Sequence, residues 1–338
     1  MTDNRIRNAG RLILFGILFL VLLTLFSAAL NPTKWFDDKR IQDRNARITQ
    51  MMEQKPDSID ILNLGDSLSH SAFTPMELWR QKGYTGFNIG MDGLLMPEAY
   101  YAVKEACADQ KPGYLLMEAL PLFRLPENMD MQILISQPLY HRFAFLKYHS
   151  LWKTFVEGKG VRIYHKGYLV NRIDSGYEMD PGYMDQELRE DKLTEIPEFN
   201  RRWFERIQKY CEKQGIRIIL YSLPSPLNYN WKRVRSIEKL AKEEGVEYIE
   251  LNGRAKEIGI RSKGDFSDSG DHLNYDGAVK VTGAFGDYLA REGKLVDHRQ
   301  DKTFDDWKEE LDEYDRLVDE MEGISFYHVQ QEQKKKKK

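Results

Sequence analysis

The sequence predicts an α/β fold: a doubly wound, mainly parallel sheet flanked by helices and carried on one N-terminal transmembrane helix. Three observations predict it. Short apolar runs at 59–64, 84–89, 114–118, 216–222 and 246–251 alternate with segments of helical pattern, the rhythm of strands joined by helical crossovers. The first run stops at Gly65-Asp66-Ser67, which places a hydroxyl at the carboxyl end of a strand, where open α/β sheets keep their sites. Residues 12–30 are almost wholly apolar and carry no charge, which is about the length that crosses a bilayer.

In chain order, residues 1–11 form a short N-terminus with Arg5, Arg7 and Arg11, assigned to the cytoplasmic side. Residues 12–30 form the anchor, ended by Pro32. The run exceeds a usual signal-peptide core, which favours a retained span; Ser27-Ala28-Ala29 leaves cleavage as the alternative. Basic residues also follow the span, so charge alone does not orient it. Long domains translocate largely regardless of charge, and the expected domain is extracytoplasmic. Residues 31–57 read as a linker helix, with Ile41, Ala46, Ile48 and Met51 or Met52 as its apolar positions.

The main domain is expected over 58–298. After Ser67 a helix starts near Pro75 with Thr74 as its cap, and a helix follows over 97–109. The rhythm breaks over about 124–197, a stretch rich in Tyr, His, Lys and Met that reads as an insertion of loops and short helices. It resumes with helices at 199–214, 231–244 and 277–292. Residues 299–338 read as a charged surface helix over 304–322 and a solvated Lys-rich tail.

The formal net charge is −3, so there is no basic field and nucleic acid is not an expected partner. Cys107 and Cys211 have no metal-like spacing and read as two buried thiols rather than a disulfide. No histidine pair has a zinc-ligand spacing with a third ligand, so no metal and no cofactor is expected.

A nucleophilic Ser67 needs a base and groups that stabilise an oxyanion. His272 is the candidate base: it lies after the last strand, in a loop rich in Asp and Gly that precedes a helix. Two carboxylates are near enough to orient it. Asp268 can fold back through Ser269-Gly270, and Asp271 is adjacent, where side chains tend to diverge; Asp268 is preferred. Asn88-Ile89-Gly90-Met91-Asp92-Gly93 ends the second strand and can bring backbone N–H groups to a substrate oxyanion. Asn88 and Asp66 are further substrate-binding candidates. His70 is placed along the cleft; His141, His149 and His165 belong to the insertion.

With Gly65-Asp66-Ser67-Leu68, the Asn88 to Gly93 segment and the Asp268…His272 loop in this order, the chain resembles the SGNH/GDSL hydrolase superfamily over roughly 60–292. The resemblance implies a three-layer sandwich, with Ser67 as nucleophile, Gly93 and the Ser67 amide as oxyanion donors, and His272 with an Asp as base and orienter. Two positions depart from the pattern. Ser269 stands three residues before His272, where the family usually has Asp. The third motif's asparagine is absent from Glu118-Ala119-Leu120-Pro121-Leu122. These departures, with the anchor and the insertion, look more like the membrane-anchored branch that includes accessory proteins of D-alanyl-lipoteichoic acid synthesis and alginate O-acetylation. That branch implies acyl transfer or ester hydrolysis on a cell-surface polysaccharide or teichoic-acid-like polymer, beside a membrane-bound O-acyltransferase. The alternative is a non-catalytic accessory that binds the polymer or the acyltransferase.

Overall fold

The computed structural model describes residues 2–29, 46–126, 130–147 and 164–322. Expectations for 30–45, His149 and the Lys-rich tail lie outside these residues. Helix α1 (Thr2–Ala29) contains a stretch, Arg7–Ala29, long and apolar enough to cross a membrane. Its Leu and Phe side chains are mostly exposed, unlike those of a core helix.

Helix α2 (Ala46–Met52) leads to strand β1 (Ile61–Leu64). Then come α3 (Ser67–Ala72), α4 (Pro75–Lys82), β2 (Gly86–Asn88) and α5 (Met96–Ala106). Strand β3 (Tyr114–Glu118) precedes the short helices α6 (Asp130–Arg142) and α7 (Ala144–Lys147) and the hairpin of β4 (Tyr164–His165) and β5 (Tyr168–Leu169). The alternation resumes as α8 (Glu198–Gln214), β6 (Arg217–Ser222), α9 (Trp231–Glu244), β7 (Glu247–Glu250), α10 (Tyr275–Glu292) and α11 (Asp305–Glu320).

The main sheet is parallel, in the order β2-β1-β3-β6-β7. Each predicted strand is present. From β1 the chain turns to one side for β2, then returns across β1 to lay down β3, so the strand order reverses between β1 and β3. The crevice at the carboxyl end of such a reversal is where ligands of open α/β sheets sit, and Ser67 follows β1 there. The central strands are buried on both faces, which is why they read as continuous apolar runs. A polar residue inside them needs a partner: the Asn63 side-chain oxygen accepts from the Tyr221 hydroxyl at 2.7 Å.

Four expectations change. Thr74 occupies the N-cap position of α4 but makes no side-chain cap bond; its hydroxyl pairs with that of Tyr314 at 2.9 Å. Helix α2 is no bare linker: Ile48 and Met51 are buried, and Arg47 stacks on the Tyr164 ring at 4.2 Å and donates to the Gly167 carbonyl. Part of the insertion is core. The β4–β5 hairpin lies on edge strand β2, with the Asn88 amide donating to the Lys166 carbonyl at 2.9 Å, and Tyr168 and Val170 are buried. Helix α11 is charged on its outer face only. Trp307 and Tyr314 are buried, with Trp307 5.3 Å from the Trp79 ring.

Cys107 and Cys211 are free thiols, and burial pushes both up to about 12.

Candidate active site

Ser67 is the first residue of α3, immediately past the end of β1. Two neighbours fix that turn. Asp66 is the N-cap and accepts from the Leu68 amide at 3.0 Å. Gly65 is closely crowded: a Cβ there would stand 2.5 Å from the Glu118 Cβ and 2.7 Å from the Ser69 Cβ. A side chain does not fit, so glycine lets β1 turn sharply into α3.

His272 reaches the serine from the loop between β7 and α10. Its loop is closed by an isolated bridge between Phe266 and Leu273, and the Ser267 amide donates to the His272 carbonyl at 2.9 Å. The loop's root is pinned by Asp265, fully buried, which binds Arg261 and Lys280. Asn274 caps α10 by accepting from the Gly277 amide.

Three side chains form a line. His272 Nε2 is 2.7 Å from Ser67 Oγ. His272 Nδ1 is 2.6 Å from Asp268 Oδ2. The other Asp268 oxygen accepts from the amides of Asp271 and His272 at 2.8 and 2.9 Å. Asp271 stands 3.6 Å from Nδ1, and its carboxylate instead accepts from the Asn228 amide. Geometry therefore distinguishes the two acids: Asp268 orients the imidazole.

The electrostatics agree. Burial opposes the charged form of His272, but the Asp268 hydrogen bond and the charges of Asp271, Asp268 and Asp66 outweigh it and raise His272 above its ordinary 6.5. Burial likewise opposes the Asp268 carboxylate; His272 and the two amides hold it below the usual range. Such an imidazole is a base whose conjugate acid is stabilised where it is needed.

The remaining candidates separate. Gly93 has φ +58°, a turn that suits glycine, and lies in the loop after β2. That loop runs along the Gly65-Asp66-Ser67 turn, with the Met91 amide donating to the Gly65 carbonyl at 3.0 Å. Asn88 does not face the cleft. It is fully buried; its NH2 donates to the carbonyls of Ser69 and Phe73, and its oxygen accepts from the Gly90 amide. Every polar atom of that side chain is spent on bracing α3 against the loop, so Asn88 is a support and not a substrate-binding group. Asp66 is also buried and binds Arg124 Nη2 at 3.1 Å; burial pushes its carboxyl up despite that cation. It caps and anchors rather than contacts substrate.

His70 is buried instead of lining the cleft. Its Nε2 lies 2.5 Å from Asp92 Oδ1, tying α3 to the loop that carries Gly93. Burial first, then the Arg47 charge, pushes His70 down to about 4.

The end of β3, where the third motif belongs, holds a buried carboxyl. Glu118 accepts from the Tyr229 hydroxyl and the Leu120 amide, and burial, with the Asp66 charge, raises it well above the carboxylate range. Three groups at the site have no mark in the sequence: Arg124, Asn228 and Tyr229. Each is a polar residue in a loop or at a loop end, brought in by chain segments far from Ser67. A cavity of about 710 Å³ opens beside these groups, lined by Gly93, Arg124, Asn228 and Arg233 among others; Ser67 and His272 are not in its lining.

Asp268, Asp271 and His272 present ligand atoms within 4.8 Å of one another. Their hydrogen bonds to each other, to Ser67 and to Asn228 already use those atoms, so a cation there would have to displace the line just described.

No protein-family model matches the chain, and no curated protein matches it. Among solved structures, one described as a platelet activating factor from Streptococcus pneumonia is 11% identical and covers 76% of this chain and 95% of that one, with a TM-score of 0.42. An acylhydrolase from Bacteroides fragilis is 10% identical over 76% of this chain and 99% of that one, TM-score 0.39. A mutant acetyl-xylooligosaccharide esterase from Geobacillus Stearmophilus is 12% identical over 72% of this chain and 98% of that one, TM-score 0.36. At these identities the likeness fixes neither substrate nor activity.

Proposed function

We propose that this chain is a serine esterase or O-acyltransferase with Ser67 as nucleophile, His272 as base and Asp268 as the residue that orients it. The observation that carries this reading is the unbroken line from Asp268 through His272 to Ser67, at 2.6 and 2.7 Å, on the crevice side of the sheet. Ser67 Oγ attacks the acyl carbonyl while His272 Nε2 takes its proton. The amides of Ser67 and Gly93 donate to the resulting oxyanion. The C–O bond to the alcohol breaks, His272 returns the proton to the leaving alkoxide, and an acyl ester remains on Ser67. A second hydroxyl, deprotonated by His272, then attacks that ester and frees the serine. Water as that hydroxyl makes an esterase, and a polymer hydroxyl makes a transferase.

For the substrate we propose O-acyl, and most simply acetyl, groups on a cell-surface polysaccharide or teichoic-acid-like polymer. The supports are the resemblance in motif order and the apolar helix α1, which on this reading holds the domain outside the membrane beside a membrane-bound O-acyltransferase. The test is acetate release from an O-acetylated polysaccharide, with and without an acceptor polymer. Wild type is expected to release or transfer acetyl, and Ser67→Ala to do neither.

A second reading, a binding accessory without efficient chemistry, is favoured by the end of β3, where the buried Glu118 stands in place of an oxyanion asparagine. It predicts polymer binding by wild type and Ser67→Ala alike, with no acetate from either.

A further inference from the structure

We propose that the Arg124 guanidinium is the side-chain donor to the oxyanion formed at Ser67. This rests on Ser67 being the nucleophile, as argued above.

An oxyanion site built from two backbone amides is commonly completed by a side-chain donor aimed where charge develops. No donor comes from the end of β3. Arg124 reaches the residue before Ser67 and the space beside Gly93. Its Nη2 binds Asp66, the residue before Ser67, at 3.1 Å. Its Nη1 lies 3.9 Å from where a Cβ on Gly93 would stand. The side chain is 42% exposed and lines the cavity, so it is open to a substrate.

Its root is built rather than loose. The Arg124 amide donates to the Pro121 carbonyl at 3.2 Å. Asn200 on α8, fully buried, donates from one NH2 to the carbonyls of Leu122 and Arg124 at 2.9 and 2.8 Å. A buried asparagine thus holds the segment that aims the guanidinium.

The other cations lining the cavity are engaged elsewhere. Arg233 donates to the carbonyls of Leu193 and Asn228 at 2.6 and 2.7 Å. Lys192 donates to the Leu227 carbonyl and the Asn228 side chain. Arg124 has one side-chain partner among the described residues, Asp66. When Ser67 attacks, the guanidinium shares its remaining N–H groups with the oxyanion.

The experiment compares wild type, Arg124→Ala, Arg124→Lys and the double variant Asp66→Asn/Arg124→Met on 4-nitrophenyl acetate. The double variant removes both charges and so leaves no buried carboxylate unpaired. Fluorophosphonate labelling of Ser67 in wild type is measured first; its absence overturns the nucleophile and this proposal together. With labelling present, kcat is expected to fall about 10²–10³-fold in Arg124→Ala and in the double variant, with KM within about threefold of wild type. Arg124→Lys keeps the charge without the fork and should recover part of the rate. Millimolar guanidinium should restore activity to Arg124→Ala and not to Ser67→Ala. Near-wild-type kcat in the double variant, or a loss carried wholly by KM, would overturn the proposal while leaving the nucleophile standing.

Discussion

At the scale of single residues, the site divides its labour by distance and charge. Asp268 and Asp271 are both within reach of His272 in sequence, yet one is hydrogen-bonded to the imidazole Nδ1 at 2.6 Å and the other is held by the Asn228 side chain. The consequence is a pH profile. His272 works as a base only when neutral, and its pKa is raised above 6.5, so kcat/KM should fall as pH drops through a limb above 6.5. Asp268→Asn removes the hydrogen bond that raises it. The limb should then move to lower pH, and kcat should fall roughly 10³–10⁴-fold. Asp271→Asn should move the limb in the same direction with most of the rate retained. Rate profiles of the three proteins between pH 5 and 9 check both statements.

His70 makes a separate residue-scale claim. Its pKa is about 4 when folded and ordinarily 6.5, so below 6.5 the unfolded chain binds the extra proton. Stability from this group is therefore present above 6.5 and is lost as pH falls toward 4, by on the order of 3 kcal/mol. His70→Phe should lose less stability between pH 7 and pH 5 than wild type, measured by urea unfolding. The same variant cuts the tie to Asp92, so it should also lower kcat at pH 7 by loosening the loop that carries Gly93.

At the scale of elements, the strands were readable and the supports were not. Five apolar runs, separated by helical patterns, place β1, β2, β3, β6 and β7 in order, because buried parallel strands leave little choice of residue. Helix α11 differs from its expectation. Its charge density suggests a surface helix, but Trp307, Tyr314 and Val318 share one buried face at spacings of seven and four, which a search for helical periodicity would have found. Trp307→Ala should therefore cost about 3–5 kcal/mol, read as a lowered urea midpoint, whereas a surface helix would tolerate it within about 0.5 kcal/mol. The β4–β5 hairpin was also hidden, since two-residue strands inside a Tyr- and Lys-rich stretch carry no period. Its burial of β2 is what turns Asn88 from an apparent substrate donor into a brace.

At the scale of the whole molecule, Ser67 and His272 are 205 residues apart, yet both could be placed at a sheet's carboxyl edge because the strand pattern says where that edge is. Arg124, Asn228 and Tyr229 could not. They arrive from loops with no periodic signal, and only the closed fold sets them against Asp66, Asp271 and Glu118. The fold gathers them near the crevice where the strand order reverses, while the apolar α1 meets the insertion, where Arg142 donates to the Thr24 hydroxyl at 3.2 Å and Phe145 lies 5.2 Å from the Phe26 ring.

The central claim is that Ser67 is an activated nucleophile. Its most direct test is labelling of the full chain with a fluorophosphonate, followed by peptide mass mapping. The account predicts a single adduct on the peptide containing Ser67, absent from Ser67→Ala and strongly reduced in His272→Ala. No adduct on folded wild type, or equal labelling of Ser67→Ala, would contradict it.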